Sequence, residues 1–163
     1  MESVTNRILE DIGLSIWPPF FKDRVFIAAL AVGGLVWAVM WLTVVPTFTI
    51  ENRSIALIIF TTVVWYPVLE EILFRGVIQG SLIKKSFGQK KVVGLTVANW
   101  IASLLFVIAH LWYQPAIWAL MVIVPSLIYG FFRDRYSNTY PSIVLHAFYN
   151  GGFTAINVFA QLG

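Results

Sequence analysis

The chain has 163 residues, 59% of them hydrophobic and only 12% charged. Soluble domains average about 25% charged residues, so this composition excludes that class and describes a single membrane-embedded domain over residues 1–163. The absence of cysteine excludes disulfides, thiolate metal sites and a cysteine nucleophile. The net charge of +3 reads as membrane orientation, with no nucleic-acid partner.

Residues 1–24 form an N-terminal interfacial segment. In it Val4, Ile8, Ile12 and Ile16 recur at four-residue spacing against Arg7, Glu10 and Asp11. That predicts a short amphipathic helix over 4–21, lying on the membrane and ended by the aromatic anchor Trp17-Pro18-Pro19-Phe20-Phe21. The acids Glu2, Glu10, Asp11 and Asp23 precede the first long apolar run, so no cleavable signal peptide is expected.

The first span is Val25–Val45, long enough to cross ~30 Å of hydrocarbon. A polar turn with Glu51, Asn52 and Arg53 leads into the second span, Ile55–Ile83. At 1.5 Å per residue that span is roughly 43 Å long, so it must tilt, bend or project. Pro67 supplies a bend by removing the hydrogen bond to the Val63 carbonyl. Four lysines occupy the loop Lys84–Lys91. The third span is Val92–Leu111. The fourth is Ala116–Phe132, with Pro125 as a kink and Arg133, Asp134 and Arg135 closing it. The fifth is Pro141–Leu162, interrupted by Gly151 and Gly152. The expected fold is an all-α integral membrane protein with about five transmembrane helices plus the interfacial helix. With a cytoplasmic N-terminus, ten of the eleven basic residues fall on or near the cytoplasmic side, and only Arg53 falls outside.

Few strongly polar side chains lie within the spans: Glu70, Glu71 and Arg75 on the second, Asn99 and His110 on the third, His146 and Asn150 on the fifth. A carboxylate in the hydrocarbon core costs about 2.5–3.5 kcal/mol on insertion scales, so two adjacent ones need a counter-charge, a wet cavity or a chemical reason. Glu71 and Arg75 are four residues apart and can form an ion pair on one face. Glu70 lies on another face with Phe74 and Val77. The division suggests that Glu71 and Arg75 hold the helix while Glu70 serves chemistry; a purely structural charge cluster is the alternative. Asn99, Ser103, Phe106 and His110 make one stripe of the kind by which membrane helices face each other. His146 and Asn150 project together from one face, and interhelical hydrogen bonding is their bland reading.

Taken together, a carboxylate, two imidazoles and a carboxamide suit water-driven amide hydrolysis. The carboxylate or an imidazole deprotonates water and the others steady an oxyanion. The same set suits zinc bound through Glu70, His110 and His146, with one position open for water. The residues themselves leave these mechanisms open.

The ordered motifs Glu70-Glu71…Arg75, Phe106…His110 and His146…Asn150, each on its own span within core residues 60–155, resemble the CAAX protease and bacteriocin-processing (CPBP, Abi) family of intramembrane proteases, as a compact member. The resemblance implies peptide-bond cleavage near the membrane surface of a membrane-anchored protein or peptide. It implies Glu70 as the activator of water helped by His110, His146 and Asn150 on the substrate carbonyl or oxyanion, and Glu71, Arg75 and Phe106 in support. A glutamate mechanism without a catalytic metal is preferred over zinc. Compact members proposed to trim C-terminal membrane-anchoring tails imply such a substrate, in a prokaryotic plasma membrane. The competing classes are a non-catalytic immunity or partner-binding member, and an ion-coupled transporter, against which the lack of inverted repeats argues.

Overall fold

A computed structural model describes residues 4–43 and 54–162. Val44, Val45 and the turn with Glu51, Asn52 and Arg53 lie outside the described residues. Four described helices are long and apolar enough to cross a membrane: Arg24–Thr43, Ile55–Ile83, Ala116–Tyr136 and Tyr140–Gln161. A fifth apolar helix, Val97–Leu111, has 15 residues. At 1.5 Å per residue it reaches only about 22 Å, short of the ~30 Å hydrocarbon core. The chain is the all-α membrane protein expected from its composition.

The third helix starts later than expected. Lys91–Val92 and Leu95–Thr96 pair as a small antiparallel hairpin, turned by Val93 and Gly94 with φ of 50° and 79°. Two left-handed residues give the turn the twist a tight hairpin needs. Val92, Val93 and Leu95 prolong the apolar run, which is why hydropathy alone carries the span through them. The helix begins only where the Thr96 hydroxyl accepts the Asn99 backbone N–H at 3.0 Å, an N-cap.

Other boundaries also shift for local reasons. The amphipathic helix covers Val4–Asp11, not 4–21. Gly13, at φ 70°, closes it as the Gly13 N–H donates to Glu10 O and the Leu14 N–H to Leu9 O, the pairing of a glycine-terminated helix. The fourth span breaks at Val122 between Ala116–Met121 and Ile123–Tyr136. Pro125 has no N–H for the Met121 carbonyl, so the helix restarts there. It then runs past Phe132 to Tyr136, where Ser137 turns left-handed at φ 49°. The last helix runs from Tyr140 to Leu162 without interruption at Gly151 and Gly152. Gly152 serves close packing: a Cβ there would collide with the Trp37 indole.

The described residues group into two compact units. The first comprises Met1–Pro18 and Glu70–Ile143. In it the stretch after the N-terminal helix is tied to the 138–140 turn. Thr139 donates from its hydroxyl to Ile12 O at 2.6 Å and from its N–H to Gly13 O at 2.8 Å. Asn138 Nδ2 donates to Ile16 O at 2.6 Å and the Tyr140 hydroxyl to Leu14 O at 3.2 Å. The Trp17 and Tyr140 rings lie 4.8 Å apart. Gly76 lets the segment in, since a Cβ there would stand 3.0 Å from Ile12 O. Gly13 to Trp17 is therefore held by protein contacts.

The second unit comprises Pro19–Leu69 and Val144–Gly163. Phe20 and Phe26 are fully buried. The Tyr149 hydroxyl donates to Ala29 O at 2.9 Å, the Trp37 and Phe148 rings sit 4.3 Å apart, and the Thr62 and Thr154 hydroxyls meet at 3.1 Å.

Candidate active site

The motif helix Ile55–Ile83 widens into π-helical turns twice, over Phe60–Trp65 and Ile72–Gln79. Glu70 and Glu71 lie between them. Such turns hold an extra residue and shift the hydrogen-bond register by one, a geometry frequent at functional sites. The first has a definite product. The Tyr66 N–H donates to Thr61 O, one residue further back than in an α-helix. In that register the Thr62 carbonyl would need the N–H of residue 67, and Pro67 has none. The released carbonyl accepts Asn150 Nδ2 at 3.0 Å. Pro67 thus acts on Thr62 rather than on the expected Val63.

In the first unit, Arg75 is the hub of a buried polar network. Its Nε donates to Glu71 Oε2 at 3.2 Å, with both side chains fully buried, as the four-residue spacing predicts. Its Nη1 reaches Gln79 Oε1 at 3.2 Å and Ser103 Oγ at 3.3 Å, and its Nη2 reaches Ser126 Oγ at 2.5 Å. Ser103 donates to Asn99 Oδ1 at 3.1 Å, and Asn99 Nδ2 to Leu127 O at 3.0 Å. Gln79 Nε2 continues the network to Gly130 O at 2.9 Å and Asp134 Oδ1 at 2.8 Å. A guanidinium removed from water needs such partners on all its N–H groups.

Phe106 explains the Phe-x-x-x-His spacing. Its ring lies 5.0 Å from Phe74, 5.8 Å from the Arg75 guanidinium carbon and 4.3 Å from the His110 ring. His110 Nδ1 stands 2.9 Å from Phe106 O. A carbonyl can only accept, so Nδ1 carries a proton, and when the ring is neutral the lone pair is on Nε2. One residue thereby fixes the tautomer through its backbone and the ring plane through its side chain. Asn99, Ser103, Phe106 and His110 are all buried, as their shared stripe anticipates. Glu70 is half-buried.

His146 and Asn150 belong to the second unit. His146 is buried and Asn150 half-buried. The bond to Thr62 O orients the Asn150 carboxamide while using one of its two N–H donors. Among the described residues, no three His, Asp or Glu side chains stand grouped as metal ligands.

Sequence reasoning missed Gln79, Ser126, Asp134 and Thr62. Gln79 had a signal, since it follows Arg75 by four residues on the same helix. Ser126 and Asp134 come from another helix, and Thr62 contributes only its backbone.

No curated protein and no solved structure matches the chain. A family model described as Type II CAAX prenyl endopeptidase Rce1-like matches residues 52–152. That stretch is more than half of the chain and contains Glu70, Glu71, Arg75, Phe106, His110, His146 and Asn150. The match, together with the apolar helices, makes this a multi-pass membrane protein that belongs to the Rce1-like family of CAAX-type proteases.

Proposed function

We propose that the chain is an intramembrane endopeptidase in which Glu70 activates water. The observation that carries the reading is the fixed tautomer of buried His110, which presents a basic nitrogen within a protease-family motif. Glu70 takes one proton from water, and His110 Nε2 accepts a hydrogen bond from the other hydrogen. The hydroxide adds to the scissile carbonyl. His146 and the second N–H of Asn150 are assigned to the oxyanion, which preorganised donors stabilise more than the ground state. Collapse breaks the C–N bond, and the leaving amine takes back the proton held by Glu70. Glu71, Arg75 and Phe106 keep the helix and the imidazole in place. We assign the chemistry to the carboxylate and imidazoles, and zinc held by Glu70, His110 and His146 is the rival route.

The substrate class proposed is a membrane-anchored protein cut near its anchor, such as a C-terminal sorting tail, in a prokaryotic plasma membrane with the N-terminus cytoplasmic. The test compares newly formed protein termini in membranes of cells expressing the wild type or Glu70→Gln. A general base contributes about 10²–10⁴-fold, so cleavages seen with the wild type should vanish while the variant inserts normally. Identical termini from both would sink the mechanism and favour a non-catalytic member. Loss of cleavage on chelation, restored by zinc alone, would replace the glutamate route with a metal one.

A further inference from the structure

The Lys84–Thr96 connection lies between the end of the helix Ile55–Ile83, long and apolar enough to cross a membrane, and the start of the shorter apolar helix Val97–Leu111. It belongs at the membrane boundary, and it is built rather than slack. The Gly88 N–H donates to Lys85 O, the Val97 N–H to Lys90 O and the Ala98 N–H to Gly88 O. Trp100 Nε1 donates to Val92 O at 3.0 Å.

Two features of this hairpin are unexplained by the protein's own packing. Lys84 pairs with Asp11 at 2.5 Å, but Lys85, Lys90 and Lys91 are exposed and make no ion pair among the described residues. At the tip, Val93 is 87% exposed with φ 50°. A β-branched residue is a genuine outlier in the left-handed region, where glycine or asparagine sits at little cost. In water the valine would add strain and recover nothing. Its apolar side chain, with those of Val92 and Phe87, also exposed, gains only in non-aqueous surroundings.

We propose that this hairpin is a binding site for anionic phospholipid headgroups, with Val93 immersed below the phosphates and Lys85, Lys90 and Lys91 paired to them. Charge and depth fit together: ammonium groups beside a short apolar tip match the order of phosphate above acyl chain. A soluble acidic partner would leave the valine without a role.

The chain has no cysteine, so Val93→Cys places one environment-sensitive fluorophore at the tip. The full-length labelled protein in phosphatidylcholine nanodiscs would be compared across increasing phosphatidylglycerol content. Emission should shift to the blue as phosphatidylglycerol rises. Each lysine near an anionic surface is worth roughly fivefold in affinity, so replacing all three by glutamine should weaken headgroup binding on the order of a hundredfold and leave emission flat as phosphatidylglycerol rises. The triple arginine variant should restore the wild-type response. The proposal fails if emission is indifferent to phosphatidylglycerol, or if the glutamine variant responds like the wild type. It also fails if inorganic phosphate or a soluble acidic peptide gives the same shift in pure phosphatidylcholine.

Discussion

Replacing Glu71 by leucine removes the carboxylate that Arg75 Nε meets at 3.2 Å, where neither side chain has any exposure. The guanidinium keeps Gln79, Ser103 and Ser126, all neutral acceptors, and cannot shed its proton. Breaking a buried pair from one side costs about 3–5 kcal/mol, because the remaining charge stays desolvated. Arg75→Met takes the guanidinium from the buried carboxylate and should cost a similar amount. The double variant strands neither charge. Gln79 still has Gly130 O and Asp134, and Ser103 still has Asn99. The double variant should therefore be more stable than the sum of the singles implies, with a coupling of about 2–3 kcal/mol. Equilibrium unfolding in mixed micelles, read as a double-mutant cycle, measures this. Single variants within about 1 kcal/mol of the wild type, or strict additivity, would refute the idea that one desolvated pair holds the motif helix.

Other outcomes follow from single contacts. Gly130→Ala puts a Cβ into the Asn99 carboxamide; it should cost about 1–3 kcal/mol by overpacking, seen as a lower thermal midpoint. Thr139→Val removes the hydroxyl bonded to Ile12 O at 2.6 Å. That should cost on the order of 1 kcal/mol and speed amide exchange over residues 12–17 while leaving the Val97–Leu111 helix protected. Val93→Gly relieves a left-handed valine and should stabilise the detergent-solubilised protein by about 1 kcal/mol, again as a shift in thermal midpoint. Glu70→Gln, unlike Glu71→Leu, should leave unfolding unchanged while cleavage is lost.

Much of the candidate site could be read from spacing. The Glu71–Arg75 pair and the Asn99-Ser103-Phe106-His110 stripe depend only on helical periodicity, which survives any packing arrangement. The hairpin at 91–96 was not legible as a break because valine suits a strand and a lipid-facing helix equally. The widened turns were hidden as well. An extra residue in a turn leaves no compositional mark, and Pro67 announced a lost hydrogen bond without saying which carbonyl would be released. Gly13 did carry a helix-stop signal, outweighed by an isoleucine repeat that continues past it.

The attachment of residues 12–16 to the 138–140 turn has a lopsided chemistry. Every bond described there runs from a side chain or amide at Asn138, Thr139 or Tyr140 to a main-chain oxygen on the other partner. Main-chain oxygens are the same for every amino acid. The recognition code is therefore written on one strand of the contact only. Point substitutions at Ile12, Leu14 or Ile16 should be tolerated far better than substitutions at the three residues that grip them, and a grafted leader of foreign sequence but equal length, with glycine kept at position 13, should still be seized.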